Sequence, residues 1–329
     1  MRSRIELHPE NADLYQELGQ CLHKVNDATG ARQAYENAVR VDPLNPWSHL
    51  YLGHSFYRAN EFDRALAEFQ FARDCDPEIL MTHVCIGDAH FELGNLAAAE
   101  QSYRTAERID PDAPKVRRKL DDWEQTARTQ ELKTRLDEAI EEDRVFHSIW
   151  LAEQLIDANA ATFRIYMLYA SNLTAAGRYD NAATALADAE AVAHEDQIPL
   201  ILGQKGRIER QRGNLYAAID LWEKAHSLEP SNAAWPIFAA SAMFRSGDVE
   251  GAEKMARVAT TCTTGCVDEA WFNLGSYLAA QQRYEEAWDS NEKALELDPE
   301  YEHAIARRAD LLAAFPELAG QHRAQRQPE

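Results

Sequence analysis

Between residues 12 and 113 the apolar positions recur at steps of three and four, the spacing of helices with one buried stripe. The pattern also repeats itself. Leu18-Gly19, Leu52-Gly53 and Ile86-Gly87 lie 34 residues apart, and Ala31, Ala65 and Ala99 follow at the same step. Then come Tyr35, Phe69 and Tyr103, then Ala38, Ala72 and Ala106, and each unit closes on Pro43, Pro77 or Pro111. Each unit therefore predicts two helices. A glycine inside a helix costs about 1 kcal/mol, tolerable where paired helices press together at Gly19, Gly53 and Gly87. The alanines serve the same close approach, and a large residue there should cost ~1–3 kcal/mol. The prolines end the second helix of each unit. Gly94-Asn95, Gly177-Arg178 and Gly213-Asn214 suit tight turns within units.

The same columns return further on, as Trp271, Leu274, Gly275, Leu278, Ala287, Ala294 and Pro299, and as Gly206, Ala218, Trp222, Ala225 and Pro230. Weaker units centre on Ala182, Leu186 and Ala189, and on Ala252, Ala256 and Ala259, with a last first-helix at about 302–314. This spelling resembles the tetratricopeptide repeat, W-x2-L-G-x2-Y, then A-x3-F, then P. The resemblance covers nearly all of the chain except about 114–162. It implies an all-α fold, a right-handed superhelical solenoid of antiparallel helix pairs.

Three segments are expected. Residues 1–113 form an N-terminal array of a half-unit and three repeats, and 163–329 form a C-terminal array ending in a capping helix. Between them, 114–162 reads as a long mixed-charge helix and a degenerate helix pair burying Ile149, Trp150, Leu151 and Leu155. Pro9 precedes Pro43 by 34 residues, so the array opens mid-unit. Leu14, Leu18 and Leu22 would then stand exposed, inviting self-association through the N-terminal end or contact with a missing neighbour.

Composition supports helix: 45% of residues are apolar, while Gly (14) and Pro (12) are too scarce for an all-β chain rich in tight turns. The formal charge of −21 repels a phosphate backbone, so nucleic acid is excluded as a partner. A basic protein segment fits that field, and solubility alone also accounts for it. Neither a secretory signal nor an apolar run of the ~20 residues needed to span a bilayer is present, so no membrane insertion is expected. Five scattered cysteines suit a reducing compartment, with the cytoplasm as the expected location. No phosphate loop, nucleophile elbow or zinc helix occurs, and neither catalytic residue, cofactor nor metal is expected. Cys262 and Cys266 lack the two further ligands that zinc needs and read as unpaired thiols. His54, His90, His226 and His303 read as ordinary, partly buried histidines.

The resemblance implies that first helices line a concave groove for a partner's peptide or helix. In the second unit the inward positions carry Trp47, Leu50, Tyr51, His54, Tyr57 and Arg58, and in the third Met81, Val84, Cys85, Asp88, Phe91 and Glu92. The first unit supplies the polar Asp13, Gln16, Gln20, His23 and Lys24. The C-terminal array offers Arg207, Arg210, Phe238, Phe244, Arg245 and Phe272 at comparable places. Chaperone-binding members hold a carboxylate with a clamp of Lys and Asn, then Asn, then Lys and Arg. Here those positions carry Gln16, Gln20, Tyr51, Met81 and Cys85, so that mode is not expected. The leading expectation is a non-catalytic interaction scaffold. Two alternatives stay open: the repeat portion of a larger enzyme such as a transferase, and a self-assembling structural array.

Overall fold

The computed structural model describes residues 2–316. Among these residues it holds eighteen α-helices and one short 3-10 turn. They are α1 (Arg2–Leu7), α2 (Ala12–Lys24), α3 (Ala28–Val41), α4 (Pro46–Arg58), α5 (Phe62–Cys75), α6 (Leu80–Glu92), α7 (Leu96–Ile109), α8 (Pro114–Glu141) and α9 (Val145–Asp157). There follow α10 (Phe163–Ala175), α11 (Tyr179–Val192), α12 (Ile198–Gln211), α13 (Leu215–Leu228), α14 (Ala234–Arg245), α15 (Val249–Thr260), α16 (Val267–Ala280), α17 (Tyr284–Leu297) and α18 (Glu302–Ala314). The part of the expected C-terminal array beyond residue 316 lies outside the described residues.

Two compact units divide the chain at 131/132. In the first, α2 pairs with α3, α4 with α5 and α6 with α7, and the hairpins stack in sequence. In the second, α10/α11, α12/α13, α14/α15 and α16/α17 pair likewise, and α18 packs on α17.

Local chemistry sets the hairpin ends. At the turn after α2, Asn26 takes φ 64°, and Asp27 N–H returns to the Leu22 carbonyl at 2.9 Å, closing the helix in a Schellman-type cap. Asn60, Asp143, Asn159 and Gln282 hold the same left-handed place in other hairpins, where Gly94, Gly177, Gly213 and Gly247 stand elsewhere. The predicted glycine turns are thus present, and side chains fill the other turns of the set. Between units, Asp-Pro steps end the second helix. The carboxylates of Asp76, Asp110 and Asp298 each accept from the N–H two residues on, at 3.0, 3.0 and 2.9 Å.

The glycine columns have a more specific cause than helices pressed together. A Cβ on Gly53 would meet Phe69 Cε1 at 2.5 Å, and one on Gly206 would meet Trp222 Nε1 at 2.6 Å. Gly19 and Gly87 likewise lie under the rings of Tyr35 and Tyr103. Each glycine is therefore the floor for a buried ring of the partner helix. Gly275 differs, because Asn291 stands where the ring would be; its nearest neighbour is the Ala287 carbonyl at 3.1 Å. Only there do the backbones themselves approach.

Two expectations are corrected, and the expected long mixed-charge helix is α8, whose contacts fall in both units. Val116 and Leu120 of α8 pack against Val84, Tyr103 and Ala106 and complete the first unit. Leu132, Leu136 and Ala139 of the same helix pack with Leu151, Ala152 and Leu155 in the second. Ile149, Leu151 and Leu155 are buried as expected, whereas Trp150 is 45% exposed. The Trp150 ring stacks on His147 at 5.8 Å and faces the Arg135 guanidinium, on the helix side opposite the core. Finally, Leu14 is only 3% exposed and Leu18 and Leu22 are half-buried, because α1 lies on α2 and Leu22 packs on the Tyr35 cluster.

Candidate functional site

The first unit holds a pocket of ≈ 540 Å³ between α2, α3 and α4. Gln20, His23 and Lys24 come from α2, Ala31, Arg32 and Tyr35 from α3, and Tyr51, His54, Ser55 and Arg58 from α4. Its floor is a pair of tyrosines, Tyr35 and Tyr51, stacked with centroids 5.5 Å apart and planes 17° from parallel. Burial, then the neighbouring Tyr51 and Cys21, pushes the Tyr35 phenol up to about 12, so the floor stays neutral.

The rim is cationic. Arg58 meets the His23 ring, and Lys24 has no ion-pair partner among the described residues. Arg32 is held by Glu61 at 2.8 Å with its guanidinium 4.6 Å above the Phe56 ring. None of the residues lining the pocket is a carboxylate. His54 stands at the inner edge, with Nε2 3.4 Å from the buried Cys85 Sγ and its ring edge-on to Phe69 at 5.4 Å. Burial lowers the His54 pKa first, and Lys115, with Arg58 and His23 behind it, outweighs Asp88. The imidazole is therefore neutral at pH 7, while the field it feels is positive. The Cys85 thiol is pushed up to about 12 by burial and Asp88, which removes it as a nucleophile at neutral pH.

Of the groove positions expected in this unit, Tyr51, His54 and Arg58 converge on the pocket. Tyr57 lies one turn away and donates to Glu92 at 3.1 Å. With Asp88 and Phe91 it borders a separate small cleft of ≈ 90 Å³. Asp88 accepts from the Tyr103 hydroxyl at 2.8 Å and pairs with Lys119 at 2.9 Å, so its charge is already compensated. Met81 receives the Lys115 ammonium at 3.2 Å. Trp47 is 46% exposed at the first turn of α4 and lies outside the pocket. Leu50 and Val84 are core residues, as expected for the apolar inward positions.

In the second unit the expected residues divide differently. Arg207 donates to Ser171 at 2.8 Å, and the Arg210 guanidinium stands 5.8 Å from the Trp222 ring. Phe244 is exposed and packs its ring 4.9 Å from Tyr277, with Arg245 exposed beside it. Cys262 and Cys266 are free thiols, and Cys262 leans on the Pro230 carbonyl at 3.5 Å.

Sequence reading missed Arg32 and Lys115. Both come from elements other than the first helices of the first three units: Arg32 follows the packing alanine of α3, and Lys115 opens α8. The step of 34 from Leu80 to Pro114 is the signal that α8 begins as a further first helix.

Two family models described as tetratricopeptide repeat match the chain, one at residues 50–114 and the other at 12–43 and 268–301. No protein of curated description matches significantly. Among solved structures, the chain is similar to the TPR domain of P58(IPK), at 14% identity with 92% of this chain and 88% of that one covered and a TM-score of 0.39. PilF of Pseudomonas aeruginosa is 12% identical, with 81% and 97% covered and a TM-score of 0.36. The first TPR of Spaghetti (RPAP3), solved bound to an HSP90 peptide SRMEEVD, is 21% identical, with 35% and 94% covered and a TM-score of 0.34. Likenesses this loose carry no functional argument. Among the described residues, no helix is long and apolar enough to cross a membrane.

Proposed function

The chain is a tetratricopeptide-repeat protein, an architecture whose stacked hairpins leave extended surfaces for other proteins, and from that premise we propose that its first unit captures an acidic segment of a partner protein. The observation that carries this reading is the pocket over Tyr35 and Tyr51, rimmed by Lys24, Arg32 and Arg58 and free of carboxylates in a chain of net charge −21.

Global and local charge point to opposite partners here. The overall field attracts a basic segment, but at ~8 Å of screening length in physiological salt only nearby charges decide what enters a pocket. A carboxylate there meets Arg58 and Lys24, while an adjoining apolar or aromatic group covers the tyrosine pair. Area from the rings and orientation from the cations together make an anchor. In this reading the role is binding, and the anchoring groups are the two tyrosine rings and the rim cations.

Selection of a random peptide library on the immobilised full chain tests this. Enriched peptides are expected to carry Asp or Glu beside an aromatic or large aliphatic residue. Their binding should fall about tenfold or more in Arg58→Gln, which removes a hydrogen bond to a charged group. Enrichment of basic peptides, or binding indifferent to Arg58, would overturn the proposal.

A further inference from the structure

On α12 of the second unit, two arginines stand without an ion pair among the described residues, beside two cations that have one. On α12, Lys205 pairs with Glu190 at 2.7 Å, and Arg212 takes both Asp180 and Glu209. Glu209 also accepts from Asn214 at 2.7 Å, so the acid nearest in sequence is already engaged. Arg207 and Arg210, on the same helix, form no ion pair among the described residues. Arg207 is half-buried, and its single hydrogen bond goes to the neutral Ser171 hydroxyl of α10. Burial, the larger cause, and the repulsion of Arg210 both depress its pKa.

An exposed ring shares one buried indole with Arg210. The Trp222 ring, which faces the Arg210 guanidinium, also packs at 5.7 Å against Phe238, and Phe238 is 37% exposed. Charge and exposed ring thus flank the same indole. Guanidinium groups match the planar geometry of a carboxylate with paired donors. Partial burial strengthens such a contact relative to one on an open surface.

We propose that Arg207, Arg210 and Ser171 form a second binding subsite, which receives an acidic side chain of a partner peptide whose apolar neighbour rests on Phe238. The subsite stands on residues of α10, α12, α13 and α14 and is independent of the pocket in the first unit.

The test is a titration of the full chain with N-acetyl Glu-Phe-Glu amide, followed through the arginine Nε–H resonances. Gln-Phe-Gln amide serves as the uncharged control, and inorganic phosphate as the free-anion arm. The Arg207 and Arg210 signals are expected to shift with the acidic tripeptide and not with the control. Arg207→Gln and Arg210→Gln, each with wild-type helicity, are each expected to weaken binding about tenfold or more. Lys254→Gln, at an exposed position of α15 outside both sites, should leave this titration unchanged. No shift at either arginine, or equal shifts with the uncharged control, would overturn the proposal. A response to phosphate alone would also overturn it, since the occupant would then be a free anion rather than a peptide side chain.

Discussion

Replacing Gly53 by alanine puts the ring-on-glycine packing to a quantitative test. The new methyl would lie 2.5 Å from Phe69 Cε1 and 2.6 Å from Cδ1, against the ~3.5–4.0 Å that carbon atoms require. The ring must therefore retreat by about 1 Å. It has no room to do so, because Phe69 is fully buried among Ala65, Ala72 and Phe56. Such overpacking costs ~1–3 kcal/mol, and the better helix propensity of alanine returns about 1 kcal/mol. Because the ring cannot move, the upper end of that cost applies, and a net loss of about 2 kcal/mol is expected for Gly53→Ala. At Gly275 the nearest atom is the Ala287 carbonyl at 3.1 Å, which a shift of a few tenths of an ångström relieves. Gly275→Ala is therefore expected to be neutral within about 1 kcal/mol. Because stacked hairpins can open one at a time, hydrogen exchange read by mass spectrometry is the assay, comparing α4/α5 with α16/α17. Trimming the ring in Gly53→Ala with Phe69→Leu should recover part of the lost protection. Gly53→Ala as protected as wild type, or Gly275→Ala the more damaging of the two, would refute the packing argument.

Other expectations follow from single sites. Both ring nitrogens of His49 face acceptors, Glu68 Oε2 at 2.7 Å and the Pro43 carbonyl at 2.9 Å, an arrangement that favours the doubly protonated ring. Burial pulls its pKa down, but the Glu68 and Pro43 hydrogen bonds more than offset that, and the folded value is raised. This stabilisation is fully present below the unfolded value of about 6.5 and is lost as pH rises through the folded value. The thermal midpoint should fall across that window, and His49→Gln should flatten the slope. Among the thiols, exposed Cys21 and Cys266 should alkylate first, with buried Cys85 unreactive until the first unit opens; mass spectrometry of a timed iodoacetamide reaction reads the order. Tyr51→Ala should leave helicity unchanged, since Tyr51 is only part-buried, and should weaken peptides selected on the first unit. Equal affinity by fluorescence polarisation would remove the tyrosine floor from the site.

The repeat was legible because one physical demand recurs every 34 residues: Gly, ring, alanine and closing proline each occupy a fixed place in the hairpin. What the glycine faces was less legible, since the spacing of 16 from Gly53 to Phe69 reads as two separate columns until the ring is seen over the backbone. The end of the first unit was hidden inside α8, where Val116 and Leu120 serve one core and Leu132 and Leu136 another without any break in the helix. The charge of the pocket could not be read from the chain's net charge. It depends on Lys24 from α2 and Arg58 from α4 meeting around one opening that no carboxylate lines.

The most direct test of the central claim is a photo-cross-link from the floor of the first-unit pocket. A benzoylphenylalanine placed at Tyr51 is compared with one at Tyr216, which is 74% exposed on the second unit. With an acidic peptide selected on the intact chain, a cross-link is expected from position 51, competed by unlabelled peptide and weakened by Arg58→Gln. A peptide that binds the chain yet cross-links at 216 and not at 51 would contradict the claim.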